Sequence, residues 1–190
     1  MRIVLASKSP RRKELLGQIF NSFEIISKEV DESLPDSVSP ERGVELLAIK
    51  KGAAVVAEVG EDTLVVSSDT LVELDGIPLG KPSDAADAHR MLRSLSGRRH
   101  NVHTGVAVHY HGKCASGVDT TRVLFKEMSD GDIDGYIATG EPMDKAGAYG
   151  IQGIGGRFVE KYDGNYDTVV GLSVSLLREL IKSVTEVANE

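Results

Sequence analysis

Residues 7–16 read SKSPRRKELL, and the chemistry they offer is anion binding. Ser9 has the side chain of an N-cap, and Pro10 suits the first helical position, where its missing N–H costs nothing. Arg11, Arg12 and Lys13 follow at once. The positive end of the helix dipole makes each cation there unfavourable by about 0.3–1 kcal/mol. A phosphate shared by backbone N–H groups and guanidinium would offset that placement, and the planar fork of arginine suits phosphate well.

Other residues extend the same chemistry. Val44, Leu47, Ala48 and Val55 mark an apolar stripe at helical spacing, and Lys51 falls on it. Two readings of Lys51 stand: an ammonium snorkelling to water, or a cation directed toward a buried anion. Asp69 closes the apolar run LVVSSD, either as a carboxylate reaching into a crevice at a strand's end or as a turn former. Asp31 and Glu32 of VDES are loop charges or hard oxygen donors for a divalent cation. Lys145 of GEPMDKAGAYG either caps carbonyls or binds an anion.

Several resemblances fail. GIPLGKPS (76–83) is one residue short of a P-loop and has Pro82 where the magnesium-binding hydroxyl belongs. GIQGIGG lacks the spacing and following helix of a dinucleotide fingerprint; its glycines permit tight turns or a close backbone approach to a ligand. His103, His109 and His111 alternate onto one strand face, with Cys114 just beyond. Metal sites need three or four convergent ligands, so these read as surface histidines.

The elements that must position these groups follow from pattern. Strands are expected at 2–6, 23–27, 63–69, 100–110 and 115–126, with a hairpin turning at Asp75-Gly76 and another at His111-Gly112. Helices are expected at 10–20, at 40–59 after Ser39-Pro40, at 83–97 with Ser83 as N-cap, from Ser129 to near Gly140, and at 173–186. Short strands should flank the Asp163-Gly164 turn. Alternating helices and strands with several hairpins give an α/β fold with a mixed sheet.

The chain has 190 residues, a net charge of −7 and one cysteine, Cys114. The charge argues against a nucleic-acid binder. The lone cysteine points to a reducing compartment. No apolar run approaches the ~18 residues of a membrane span, and the N-terminus lacks a signal peptide's apolar region. The expectation is one cytoplasmic protein, bound to neither membrane nor nucleic acid.

LASKSPRRKELL, VDES, LAIKKGA, SSDTLVELDGIPLGKP, LSGRRHNVHTGVAV, GEPMDKAGAYGIQGIGG and YDTVVGLSV, in this order, resemble the Maf family of nucleoside triphosphate pyrophosphatases. The resemblance spans almost the whole chain as a single domain, 1–190. It implies a mixed central sheet in two lobes with a nucleotide cleft, like the inosine triphosphate pyrophosphatases, and metal-dependent cleavage of a nucleoside triphosphate to monophosphate and pyrophosphate. Carried over residue by residue, it makes Asp69 the proton acceptor and Ser7, Ser9, Arg11, Arg12, Lys51 and Lys81 the phosphate-contacting set. Glu32, with Asp69, resembles the acidic set near a divalent metal, Mg²⁺ or Mn²⁺. Arg11, Thr70 and Gln152 match the positions that mark the dTTP/UTP pyrophosphatase branch. That branch implies a house-cleaning hydrolase, with a homodimer left open. A methylated-guanosine triphosphate pyrophosphatase and a non-catalytic nucleotide-binding regulator of cell division are the alternatives.

Overall fold

The structure is a computed structural model and describes residues 1–186. Along the chain run β1 (Arg2–Leu5), α1 (Pro10–Leu16), β2 (Glu24–Ile25), α2 (Pro40–Val59), β3 (Thr63–Leu74), β4 (Ile77–Leu79), α3 (Ala85–Leu95), β5 (Arg99–Tyr110), β6 (Lys113–Phe125), α4 (Asp130–Ile137), β7 (Val159–Asp163), α5 (Tyr166–Val170) and α6 (Val174–Glu186). Three short 3₁₀ turns lie between α4 and β7. The strands form a mixed seven-stranded sheet in the order β2-β1-β3-β5-β6-β7, with β4 on β3. β1 is parallel to β2 and β3, whereas β3–β4 and β6–β7 are antiparallel.

The chain divides into two compact units. The first comprises Met1–Thr70, Thr104–Asp119 and the segment from Gly171 onward. Its core gathers Val4, Ala6, Val55 and Val65. Here α2 approaches β5 so closely that a Cβ on Gly105 would lie 2.3 Å from the Val44 carbonyl oxygen. Only glycine allows that backbone-to-backbone contact.

The second unit comprises Leu71–His103 and Thr120–Val170. Its core is built on Val72, Leu92, Val102, Phe125, Ile133 and Tyr136. Within it, His100 is buried, with Nε2 2.8 Å from the Tyr149 hydroxyl and its ring edge-on to Phe125. Burial pushes this ring down from 6.5 to about 4. The unfolded chain thus binds a proton that the folded ring refuses. Stability is full above pH 6.5 and declines as pH falls toward 4, by up to about 3 kcal/mol from this ring. His109, also pushed down by burial, acts in the same direction. Urea denaturation is expected to show lower stability at pH 5 than at pH 7, with a shallower difference in His100→Gln. Equal stability of the native chain at the two pH values would contradict this.

Most expected elements are present, and four differ. Helix α1 ends at Leu16, because Gly17 caps it and the next turn is made by tighter bonds from Gln18 and Ile19. Lys13 therefore sits in the last turn of a seven-residue helix, where a cation is favourable. Strand β3 does not stop at Asp69 but continues to Leu74. The polar Ser67, Ser68, Asp69 and Thr70 interrupt its apolar pattern because each has a partner, not because the strand ends. Asp84, rather than Ser83, caps α3 by accepting from the Asp87 N–H, while Asp87 reaches back to the Ser83 N–H. After Gly164 the chain enters the helix α5 instead of a second strand. A short run such as TVV does not distinguish the two by periodicity.

Candidate active site

In the first unit, β3, α1, α2 and the loops before the two helices bring seven of the candidate residues into two linked clusters. The first centres on Lys51, one turn from Ala48 on the buried stripe of α2. Its ammonium lies 2.5 Å from Asp69 Oδ1 and 2.8 Å from Glu32 Oε1. The side chains of Lys51 and Asp69 are only 18% and 16% exposed, against 59% for Glu32. Lys51 is thus not a snorkelling surface lysine. It is a largely buried cation held between two carboxylates. The ammonium has three N–H groups, and these carboxylates take two.

The VDES loop is shaped to deliver Glu32. Asp31 accepts from the backbone N–H of Ser33 at 2.9 Å and from its hydroxyl at 2.8 Å, closing a local turn. Lys50 donates to the carbonyls of Asp31 and Ser33 at 3.1 and 3.4 Å. Consecutive lysines on α2 therefore divide the work: Lys50 holds the loop backbone and Lys51 pairs with its carboxylate. The sequence offered no signal for Lys50 beyond its adjacency to Lys51.

The second cluster centres on Arg12. Ser9 caps α1 by accepting from the Arg12 N–H. The Arg12 side chain donates from Nε to the Gly171 carbonyl at 2.9 Å, from one terminal nitrogen to Ser7 Oγ at 3.4 Å, and from the other to Thr70 Oγ1 at 3.2 Å. Buried Ser68 donates to the same Gly171 carbonyl at 2.8 Å, and Thr70 Oγ1 lies 3.0 Å from Thr104 Oγ1. Burial lowers the Arg12 pKa and Asp69 opposes that shift. A guanidinium remains charged throughout. Three of its five N–H groups are used, which leaves two for an anion. Ser68, Thr104 and Gly171 were missed from the sequence, although Gly171 lies in the recognised YDTVVGLSV motif.

Arg11 is partly buried on α1. Lys81 and Gln152 belong to the second unit, both exposed, Lys81 in the turn after β4 and Gln152 in the turn before the last 3₁₀ segment. Lys145 donates to the Glu141 carbonyl at 2.8 Å and pairs with Asp144, so it caps backbone. The histidine expectation needs correction at two positions. His103 is buried, with Nδ1 2.8 Å from Thr120 Oγ1 and Nε2 3.0 Å from Glu73, because alternation along β5 carries it inward. His109 is half-buried, its ring against Gly52 of α2 and in contact with Cys114, so of the three only His111, in contact with Asp62, is exposed.

Among the described residues no group of three or more His, Cys, Asp or Glu converges as a closed metal cage. Glu32 and Asp69, gathered on one cation, nonetheless fit a hard divalent ion. Mg²⁺ keeps several waters and takes one or two carboxylates together with substrate phosphates.

A family profile described as Maf-like protein matches residues 2–184. The chain belongs to the Maf family. It is 48% identical over 181 residues to a dTTP/UTP pyrophosphatase of Bacillus velezensis, covering 95% of each chain. It is 49% identical over 171 residues to one of Vibrio cholerae, covering 90% of this chain and 91% of that one. The fold is also that of the Staphylococcus aureus Ham1 protein, at a TM-score of 0.51 and 19% identity, covering 97% of this chain and all of the other. The segments SKSPRR, VDES, IKK, SSDT and VVGLS, all within the matched residues, supply most of the Lys51 and Arg12 clusters. No helix among the described residues is long and apolar enough to cross a membrane.

Proposed function

We propose that this Maf-family chain is a nucleoside triphosphate pyrophosphatase that hydrolyses dTTP and UTP to the monophosphate and pyrophosphate. The observation that carries the reading is Asp69, a largely buried carboxylate held 2.5 Å from Lys51 beside the Arg12 cluster. The names of the curated relatives supply the substrate class.

Hydrolysis of a phosphoanhydride needs an oriented water, a proton acceptor and neutralisation of the charge that builds on the phosphoryl oxygens. Asp69 orients the water and takes its proton. Lys51 fixes the Asp69 carboxylate and has one N–H left for a phosphate oxygen. Arg12, held on one side by Gly171, Ser7 and Thr70, presents its two remaining N–H groups to the triphosphate, and Ser7, Ser9 and Arg11 line the same segment. Glu32 and Asp69 would hold a divalent ion, Mg²⁺ or Mn²⁺. When bound, such an ion supplies further neutralisation of the triphosphate. Lys81 as a phosphate contact, and Arg11, Thr70 and Gln152 as base-selecting residues, rest on the family resemblance. Uracil and thymine present two carbonyl acceptors and one N–H donor, and a Gln amide both donates to and accepts from such an edge. The single cysteine fits a cytoplasmic setting.

A panel of dTTP, UTP, CTP, ATP, GTP and 7-methyl-GTP, assayed with Mg²⁺ for pyrophosphate release, tests the reading. We expect dTTP and UTP to be hydrolysed well above the others. A purine or methylated-guanosine triphosphate hydrolysed best would overturn the substrate assignment, and no hydrolysis of any would overturn the enzymatic reading.

A further inference from the structure

The glycine-rich stretch AYGIQGIGG offers backbone N–H groups to an anion, and in the structure that anion is one of the chain's own. Glu141, in the first 3₁₀ turn after α4, sends its carboxylate into the loop of residues 150–156. Oε1 accepts from the Gly155 N–H at 3.0 Å and from the Tyr136 hydroxyl at 2.8 Å, and Oε2 accepts from the Ile154 N–H at 2.9 Å. The hydroxyl of buried Tyr136 in turn accepts from the Gly150 N–H at 3.2 Å. The Gly153 N–H donates to the Gly150 carbonyl at 3.3 Å, closing a four-residue turn around Ile151 and Gln152. Gln152 therefore sits on a turn pinned at both ends, by Tyr136 at Gly150 and by Glu141 just after Gly153.

Two glycines make this pinning sterically feasible. A Cβ at Gly153 would lie 2.5 Å from Glu141 Oε2, and one at Gly155 would lie 2.4 Å from the Tyr136 hydroxyl. No side chain fits at either position without displacing the anchor. Gly153 and Gly155 are thus accounted for by this internal anchor, whereas Gly156 packs against the Ile151 carbonyl oxygen, 2.3 Å from where its Cβ would lie.

We propose that Glu141 is the positioning residue of this loop and that it sets the nucleobase preference by fixing the backbone that carries Gln152. The proposal rests on Gln152 reading the base, as stated above. Its chemistry requires a carboxylate. With three N–H and O–H donors converging on two oxygens, an amide in place of the carboxylate turns an NH₂ group toward at least one backbone N–H in either flip state, so one donor loses its acceptor. Glu141→Gln keeps the shape and removes the match.

The test measures kcat and KM of purified Glu141→Gln, Gln152→Ala and the double variant with UTP and CTP, beside a thermal melt. We expect Glu141→Gln to lower the UTP-over-CTP ratio of kcat/KM by about tenfold, since a displaced contact group costs specificity steeply. Gln152→Ala is expected to lower the same ratio, and the double variant to be no less selective than Gln152→Ala alone. A purely structural role would lower the melting temperature and reduce turnover of both nucleotides by the same factor, leaving the ratio intact; that result overturns the proposal. A ratio that falls in Gln152→Ala but not in Glu141→Gln overturns it as well, while sparing the reading of Gln152. A ratio unchanged in Gln152→Ala overturns that reading and the proposal with it. Should Glu141→Gln fail to fold, Tyr136→Phe removes one donor from the same carboxylate and is read on the same ratio, with a smaller fall expected and no fall contradicting the proposal.

Discussion

Asp69→Asn is expected to abolish turnover, lowering kcat on UTP by about 10²–10⁴-fold, the range associated with loss of a general base. Asparagine is nearly isosteric and accepts a hydrogen bond from Lys51 through its carbonyl oxygen, so the fold and the first cluster's geometry survive. What it lacks is a lone pair basic enough to take a proton from water. Nucleotide binding is expected to persist, because the contacts assigned to Arg12 and Arg11 do not involve Asp69. Kinetics with a binding titration on the same preparation checks both parts. A variant that turns over at near the native rate would remove Asp69 from the mechanism.

Lys51→Ala is expected to be the second-largest loss, on the order of 10²-fold in kcat/KM, the scale of one preorganised electrostatic contact. The native ammonium lies between Asp69 and Glu32. Its removal leaves two carboxylates facing each other without a counter-charge, and the Asp69 oxygen without its donor. Restoring a cation with Lys51→Arg is expected to recover only part of the activity, since the planar fork does not reproduce the point charge of an ammonium. Activity of Lys51→Ala close to native would mean that the lysine serves packing alone.

Most of this site was legible because the residues that build it lie in short motifs whose types are unusual for their surroundings. Two arginines at a helix start and a lysine on an apolar stripe are both locally unfavourable, and local conflicts of that kind collect at functional sites. The structure supplies what resolves them. Lys51 meets two carboxylates from distant segments, and Arg12 meets a carbonyl 159 residues away. Neither partner can be deduced from spacing, because both depend on how β3 and the Gly171 segment pack. The same blindness explains the misplaced strand end. SSDT has the polarity of a turn, yet each of its side chains finds a partner within the fold: Ser67 the Ala48 carbonyl, Ser68 the Gly171 carbonyl, Asp69 the ammonium, Thr70 the guanidinium. Glu141 went unread for a different reason. A carboxylate that caps backbone N–H groups of a loop thirteen residues onward leaves no periodic trace.

The central claim is that Asp69 drives cleavage that releases pyrophosphate, and phosphorus NMR of UTP incubated with Mg²⁺ and the native chain tests it most directly. The account predicts UMP and pyrophosphate in equal amounts, with UTP left intact by Asp69→Asn at the same protein concentration. UDP and inorganic phosphate as the products, or the same products at the same rate from Asp69→Asn, would contradict it.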